Sequence, residues 1–214
     1  AIYILGTSSS HRTNTTSELV NWNKDKFYLK GEVMKKEQNY QLSIRLEGRN
    51  KEARVNQNKL ERLTDLMGYL NVVFFSPEDL KLVKGSPSKR RSFLNLELSQ
   101  VNSYYNHLLK DYRQVLKQRN NLLKEIQAGE AARDMLPVWN QQLTNLGTKI
   151  ISRRLEALNK LIPLARLTQR KLTGGQETLE LKYDTKLNIN QDSSEAEIKT
   201  AFNDYLDRKE EKEI

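Results

Sequence analysis

Two hydrophobic periods share this chain, and the switch between them limits the fold more than any other feature. Phe27, Leu29 and Gly31 alternate with Tyr28, Lys30 and Glu32; Tyr40, Leu42, Ile44 and Leu46 alternate with Gln41, Ser43, Arg45 and Glu47. A repeat of two puts one row of side chains on a buried face, so both segments predict half-buried strands. From Leu94 the repeat lengthens. Leu98, Val101, Tyr105, Leu108, Tyr112, Val115, Leu122 and Ile126 follow at spacings of three or four, interrupted only by Arg119. An average repeat of ~3.5 is the seam of packed helices. One chain with both periods must be α/β (α+β), a β-rich part with a helical insertion.

The remaining punctuation completes that outline. Lys35 to Asn39 predicts a turn, Gly48, Arg49 and Asn50 another, and Ala53 to Val55 a short strand, so the first region reads as an antiparallel meander with one wet face. Leu60, Leu63, Met67 and Leu70 recur at helical spacing, and Val72 to Phe75 reads as a buried strand. Ser76, Pro77 and Asp79 form a helix start, with a cap, a proline at the first position and an acid in the first turn. Gly129 ends the first long helix, and Pro137 opens a returning one. Its seam runs through Trp139, Leu143, Leu146 and Ile150, then shifts phase to Ile151, Leu155, Leu158 and Ile162. Such a shift relaxes a supercoil locally, and Pro163 should kink or end this helix. The pair reads as an antiparallel helical hairpin or as the core of an ordinary bundle. Gly174 and Gly175 close the helix, and Leu179 and Leu181 alternate as a strand. Asn188 to Ser194 is a loop, and Ser194 with Glu197 caps a last helix carrying Ile198, Phe202, Tyr205 and Leu206. Three regions result: 1–87, part of a strand-rich lobe; 88–173, a helical lobe; 174–214, a return to the head.

Charge then narrows the partner. The chain has 36 Lys plus Arg against 27 Asp plus Glu, a formal net charge of +9, which suits nucleic acid first and an anionic surface second. It has no cysteine, which excludes disulfides and thiolate metal sites and fits the cytoplasm. No apolar run approaches the ~18 residues of a membrane span, so no membrane partner is expected. The first residues, Ala1 to Leu5, are already apolar and the last, Lys209 to Ile214, are charged; both ends read as cuts within a longer protein.

Chemistry-bearing motifs are few. The phosphate-cradling pattern G-x-x-x-x-G-K-S/T is absent, and Gly174-Gly175 reads as a helix cap. No catalytic constellation and no metal set is visible, and His107 reads as an ordinary helix residue. Two stretches remain. Ser8 to Thr13 is a small polar run carrying Arg12, either a phosphate contact or a solvated loop. Lys81, Lys84, Lys89, Arg90 and Arg91 fall together with no acid among them, either a phosphate-backbone contact or a solvated basic loop. No aromatic residue interleaves with that basic run, so base stacking is not expected there.

At these stretches the sequence resembles the RecF family. Phe75-Ser76-Pro77-Glu78-Asp79-Leu80, Gly85-Ser86-Pro87 and Arg90-Arg91-Ser92-Phe93-Leu94 are similar to that family's "PEDL…G-x-P-x-x-R-R-x-F-L-D", with Asn95 where the family has Asp. Ala1 to Leu5 followed by Ser10-His11-Arg12-Thr13 resembles the end of its phosphate-loop helix and the "S-H-R-T" loop, and Leu116-Lys117-Gln118-Arg119-Asn120 resembles "L-K-Q-R-N". The resemblance implies an ABC-type ATPase head like those of SMC proteins. It implies ATP and Mg in the intact protein, an ATP-dependent homodimer, and DNA at gaps and single-strand–double-strand junctions. It also implies work with RecR and RecO to load recombinase, in replication and SOS repair. The segment would lie between the phosphate loop and the signature motif, so no hydrolysis is expected of it alone. Residue by residue, it implies Arg12 as a phosphate contact with Thr13 and His11 beside it. Ser76 to Asp79 would occupy the Q-loop position, without a glutamine. Lys84, Lys89, Arg90 and Arg91 would touch DNA or pack at the lobe junction. A non-catalytic adaptor with a helical arm and an OLD-family nuclease are the competing readings.

Overall fold

In a computed structural model, residues 1–13, 15–48 and 50–213 are described. Arg49 of the expected turn and Ile214 of the charged end lie outside them. The chain divides into two compact units, Ala1–Asn106 and a second that begins at His107.

The first unit is built on the meander. Strands β1 (Lys26–Lys35), β2 (Gln38–Glu47), β3 (Asn50–Val55) and β4 (Asn58–Lys59) pair antiparallel in sequence order. The register sets Leu29 opposite Ile44 and Ile44 opposite Ala53, so the period-two residues share one face. Leu42, Ile44, Leu46, Ala53 and Val55 are buried on that face, and Tyr28 on the other is exposed. The two tight turns, Lys36-Glu37 and Asn56-Gln57, hold both central residues at positive φ, the mirror-image turn that matches strand twist. Helix α1 (Ile2–Thr7) packs its Leu5 into the same core. A Cβ on Gly6 would lie 2.4 Å from Val72 Cγ2, so only glycine allows α1 so close to that segment.

Two expectations in this unit are corrected. Val72 to Phe75 is not a buried strand: it pairs with no strand among the described residues, and Val73 and Phe75 are 96% and 82% exposed. Its backbone is satisfied instead by a side chain, Val72 N–H donating to Gln100 Oε1 at 2.7 Å. The helical spacing from Leu60 to Leu70 yields only a 3₁₀ turn, Leu63–Leu66. That unit closes with α2 (Lys81–Lys84) and α3 (Pro87–Val101).

Helix α4 (Ser103–Gln127) follows α3 after a break at Asn102, whose side-chain oxygen accepts the Tyr105 N–H at 3.3 Å. An asparagine offering its own oxygen to the backbone is a helix start, and here it cuts the seam that sequence joins across Val101.

In the second unit, α4, α5 (Leu136–Leu172) and α6 (Glu195–Glu213) surround a core of Val115, Leu143, Ile151, Leu155, Ile198 and Phe202. A Cβ on Gly147 of α5 would lie 2.3 Å from the Phe202 ring. The seam's interruption, Arg119, is 2% exposed. It donates to Asn140 Oδ1 at 2.6 Å and to Glu213 Oε2 at 2.9 Å. Pro137 opens α5 as expected, but Pro163 does not end it; the helix continues to Leu172. Leu179 to Lys182 is not a strand, because the Leu179 carbonyl accepts a side-chain donor, Arg166 Nε at 3.3 Å, rather than a ladder. The Ser194–Glu197 capping box is present, with Ser194 N–H donating to the Glu197 carboxylate at 2.7 Å. That hydrogen bond holds the exposed Glu197 carboxyl below its usual range. No helix of the described residues is long and apolar enough to cross a membrane.

Candidate functional site

The loop after α1 is built by short polar side chains that serve their own backbone. Ser8 stops the helix in the left-handed region at φ 57°, its N–H donating to Ile4 O at 2.8 Å. Its hydroxyl donates to the Leu63 carbonyl. Buried Thr7 donates to Tyr3 O at 2.7 Å. Ser10 Oγ accepts the Arg12 N–H at 3.1 Å, and Thr13 Oγ1 accepts the Thr15 N–H at 2.9 Å. These bonds fix where His11, Arg12 and Thr13 stand.

The three candidates are then placed differently. His11 lies over Phe74, ring centroids 4.3 Å apart, and meets Tyr3 edge-on at 5.4 Å. Burial raises the Tyr3 phenol, offset in part by its bond with Thr7. Arg12 is exposed, and its guanidinium makes no hydrogen bond or ion pair among the described residues. Thr13 lines a cavity of about 290 Å³ together with Ser8, Ser9, Ser10, Leu63 and Lys51. Sequence reading missed Lys51, since it sits on β3 and only the meander brings it beside the serine loop. The cavity is otherwise lined by Ile4, Leu19, Phe27 and Ile44, and Arg12 follows on the same loop; an exposed guanidinium there can pair with a phosphate oxyanion.

The basic stretch forms a stapled corner. Ser76 N–H donates to Asp79 Oδ2 at 2.7 Å, starting a 3₁₀ turn, Pro77–Leu80, that leads into α2. Its own backbone hydrogen bond, then that to Ser76, holds the exposed Glu78 carboxyl below its usual range. Arg90 Nη1 reaches back to the carbonyls of Gly85 at 3.0 Å and Leu82 at 3.2 Å. Arg90 therefore serves the end of α2, whose carbonyls have no partner within the helix. Lys84, Lys89 and Arg91 are exposed beside it, and among the described residues none of the four forms an ion pair. No acid sits in the first turn of α3, so the helix's positive end adds to their field. Asn95, where an aspartate was expected by resemblance, accepts the hydroxyl of fully buried Tyr105 at 2.8 Å, a bond that an aspartate would also accept.

No family model matches the chain. Over 216 residues it is 44% identical to the DNA replication and repair protein RecF of Halothermothrix orenii, covering 100% of this chain and 58% of that protein. It is 38% identical over 215 residues to the RecF of Ligilactobacillus salivarius, covering 57% of it. The chain thus spans less than two thirds of the relatives that it matches. Among solved structures, that of the recombination mediator protein RecF-ATP in the RecFOR pathway superposes with a TM-score of 0.91 at 29% identity, over 97% of this chain and 56% of that one. The RecF-ATPrS structure gives 0.88 at 28%.

Proposed function

The chain belongs to the RecF family, and on that premise we propose that it serves a recombinational DNA-repair protein in which ATP governs DNA binding. One observation carries the reading: the exposed Arg12 guanidinium, unpartnered among the described residues, on the serine-rich loop whose Ser8, Ser9, Ser10 and Thr13 line a cavity with Lys51. In the intact protein, Arg12 contacts a phosphate of ATP, with Thr13 beside it and His11 held against the tilted Phe74 ring. Magnesium accompanies the nucleotide, and two copies associate when it is bound. Lys84, Lys89 and Arg91 contact the DNA backbone at gaps or single-strand–double-strand junctions, on the corner that Arg90 holds. RecR and RecO are the partners in loading recombinase, in the cytoplasm. The regions 1–87, 88–173 and 174–214 are a division by role within that head, distinct from the compact units.

The test uses the full-length protein on a gapped duplex, with and without ATP, followed by fluorescence anisotropy. Arg12→Ala should abolish the ATP-dependent part of binding. Lys84, Lys89 and Arg91 changed together to Ala should weaken binding at every ATP concentration and flatten its salt dependence. DNA binding that ignores ATP and survives both variants overturns the reading.

A further inference from the structure

No aromatic residue interleaves with the cations of the basic corner between Lys81 and Arg91, which suits a phosphate backbone better than a stacked base. Another part of the same unit has both cations and aromatic faces. Beyond the β1–β2 turn a cavity of about 540 Å³ is lined by Lys35, Lys36, Tyr40, Tyr69, Asn71 and Gln100, among others. Tyr40 and Tyr69 meet edge to face with centroids 5.1 Å apart, and Tyr40 Oη donates to Gln38 Oε1 at 2.5 Å. Lys35 is anchored by donating to the Gly68 carbonyl. Lys36 stands at the turn itself, exposed, at φ 48°. Gln100 is 4% exposed, and its oxygen is held by the Val72 N–H at 2.7 Å, which fixes a buried amide at the wall.

The charges facing the cavity are not all positive. Asp65 also lines it, but its Oδ2 accepts the Arg62 N–H at 3.1 Å, and Glu37 follows Lys36 in the turn. The chemistry that fits these residues is a flat π-face, a hydrogen-bonding edge and a phosphate. A ring stacked on tyrosine is held without demanding a sequence, because every base has a π-face. An amide pair offers both a donor and an acceptor to the edge of a base. A paired base presents neither face, so a duplex cannot use this cavity.

We infer that the Lys35–Lys36–Tyr40–Tyr69 cavity receives an unpaired nucleotide of a single strand, its base against the tyrosines and its phosphate at Lys36. This rests on the DNA-binding reading above and adds a strand-selecting site to it, separate from the Lys84–Arg91 corner.

The test uses the full-length protein and a thymidine oligonucleotide carrying 5-iodouracil, cross-linked by light and mapped by mass spectrometry. Cross-links on Tyr40 or Tyr69 are expected. Lys36→Asn keeps the turn, because asparagine tolerates positive φ, while removing the charge. It should weaken single-strand binding roughly three- to tenfold at low salt and reduce the salt slope by about 0.7, with duplex binding unchanged. Cross-links confined to other peptides overturn the inference, as does an unchanged slope. Duplex binding that persists while single-strand binding ignores Lys36→Asn sinks this site and leaves the wider reading standing. A protein that binds no DNA of either form removes both. Thymidine monophosphate displacing the oligonucleotide at equal concentration would assign the cavity to free nucleotides and overturn the strand claim.

Discussion

Arg119 and Arg12 are the same side chain in opposite circumstances, one in each unit. Arg119 is buried with two partners, Asn140 and Glu213, drawn from the two other helices of its unit. Arg12 is exposed on a loop whose hydrogen bonds among the described residues are made by shorter side chains and backbone. The helical unit spends a buried charge on holding itself together; the sheet unit leaves charge unspent at Arg12 and at Lys84, Lys89 and Arg91. A cation that stabilises the fold is not available to a ligand, and one that does nothing for the fold is. That separation predicts which substitutions unfold the protein and which only disable it.

The largest effect should come from Arg119→Ala. Removing one partner of a buried pair leaves Glu213 with only Lys209 among the described residues, at 3.8 Å, and takes from Asn140 Oδ1 its Arg119 donor while Asn140 Nδ2 stays on Glu210. The expected loss is roughly 3 kcal/mol, at the low end for buried pairs because Glu213 keeps 29% exposure. Urea unfolding followed by helical circular dichroism measures it. A change below a fifth of that would mean the network is ornamental and the contrast between the units is false. Replacing Arg119 by Met and Glu213 by Leu together should recover most of the loss.

Gly147→Ala comes next. The new methyl would meet the Phe202 ring, itself 7% exposed and without room to retreat. Overpacking of this kind costs about 1–3 kcal/mol, and Phe202→Leu in the same chain should relieve part of it. The same urea experiment reads both, and the double variant distinguishes a clash from a general helix effect.

How far the sequence disclosed this contrast depends on the range of the interactions. The strands β1, β2 and β3 were legible because period-two alternation is local and the buried face follows from it. The helical seam was legible for the same reason. What was hidden needs distant partners. Val72 to Phe75 is apolar, but no strand pairs with it among the described residues, and apolar character alone does not bury a segment. Leu179 and Leu181 alternate, yet Arg166 takes the Leu179 carbonyl. The Lys36-Glu37 turn was legible from its polar run, whereas the Asn56-Gln57 turn contains no glycine and gave no such signal. Arg119 was visible as a gap in the seam, but its partner Glu213 lies 94 residues away. At the candidate sites, His11, Arg12 and Thr13 were proposed from a local motif. Lys51 and the Tyr40–Tyr69 cavity were not found, because the meander and the chain after it assemble them from separate segments.

Glu97 sharpens the comparison within the sheet unit. Burial alone raises its carboxyl. A carboxyl whose folded pKa is raised binds its proton more tightly when folded, so its contribution is fully present below the unfolded value and is lost as pH rises through the folded one. Glu97→Gln should therefore stabilise the protein at pH 7, by under about 1 kcal/mol, and do nothing at a pH below the ordinary glutamate range. Urea midpoints at the two pH values check it, and an equal gain at both would point to a cause other than ionisation.

Arg12→Ala should have the smallest effect on stability and the sharpest effect on function. Its backbone N–H, not its guanidinium, makes the bond to Ser10, so alanine keeps that bond. The side chain is exposed and supports no neighbour among the described residues, which puts the stability change within ~0.5 kcal/mol. If urea unfolding is unchanged while ATP-dependent DNA binding disappears, the two arginines mark the two ends of one scale, from fold to ligand. If Arg12→Ala destabilises the protein as Arg119→Ala does, the loop owes its shape to the guanidinium, and Arg12 loses its claim to the phosphate.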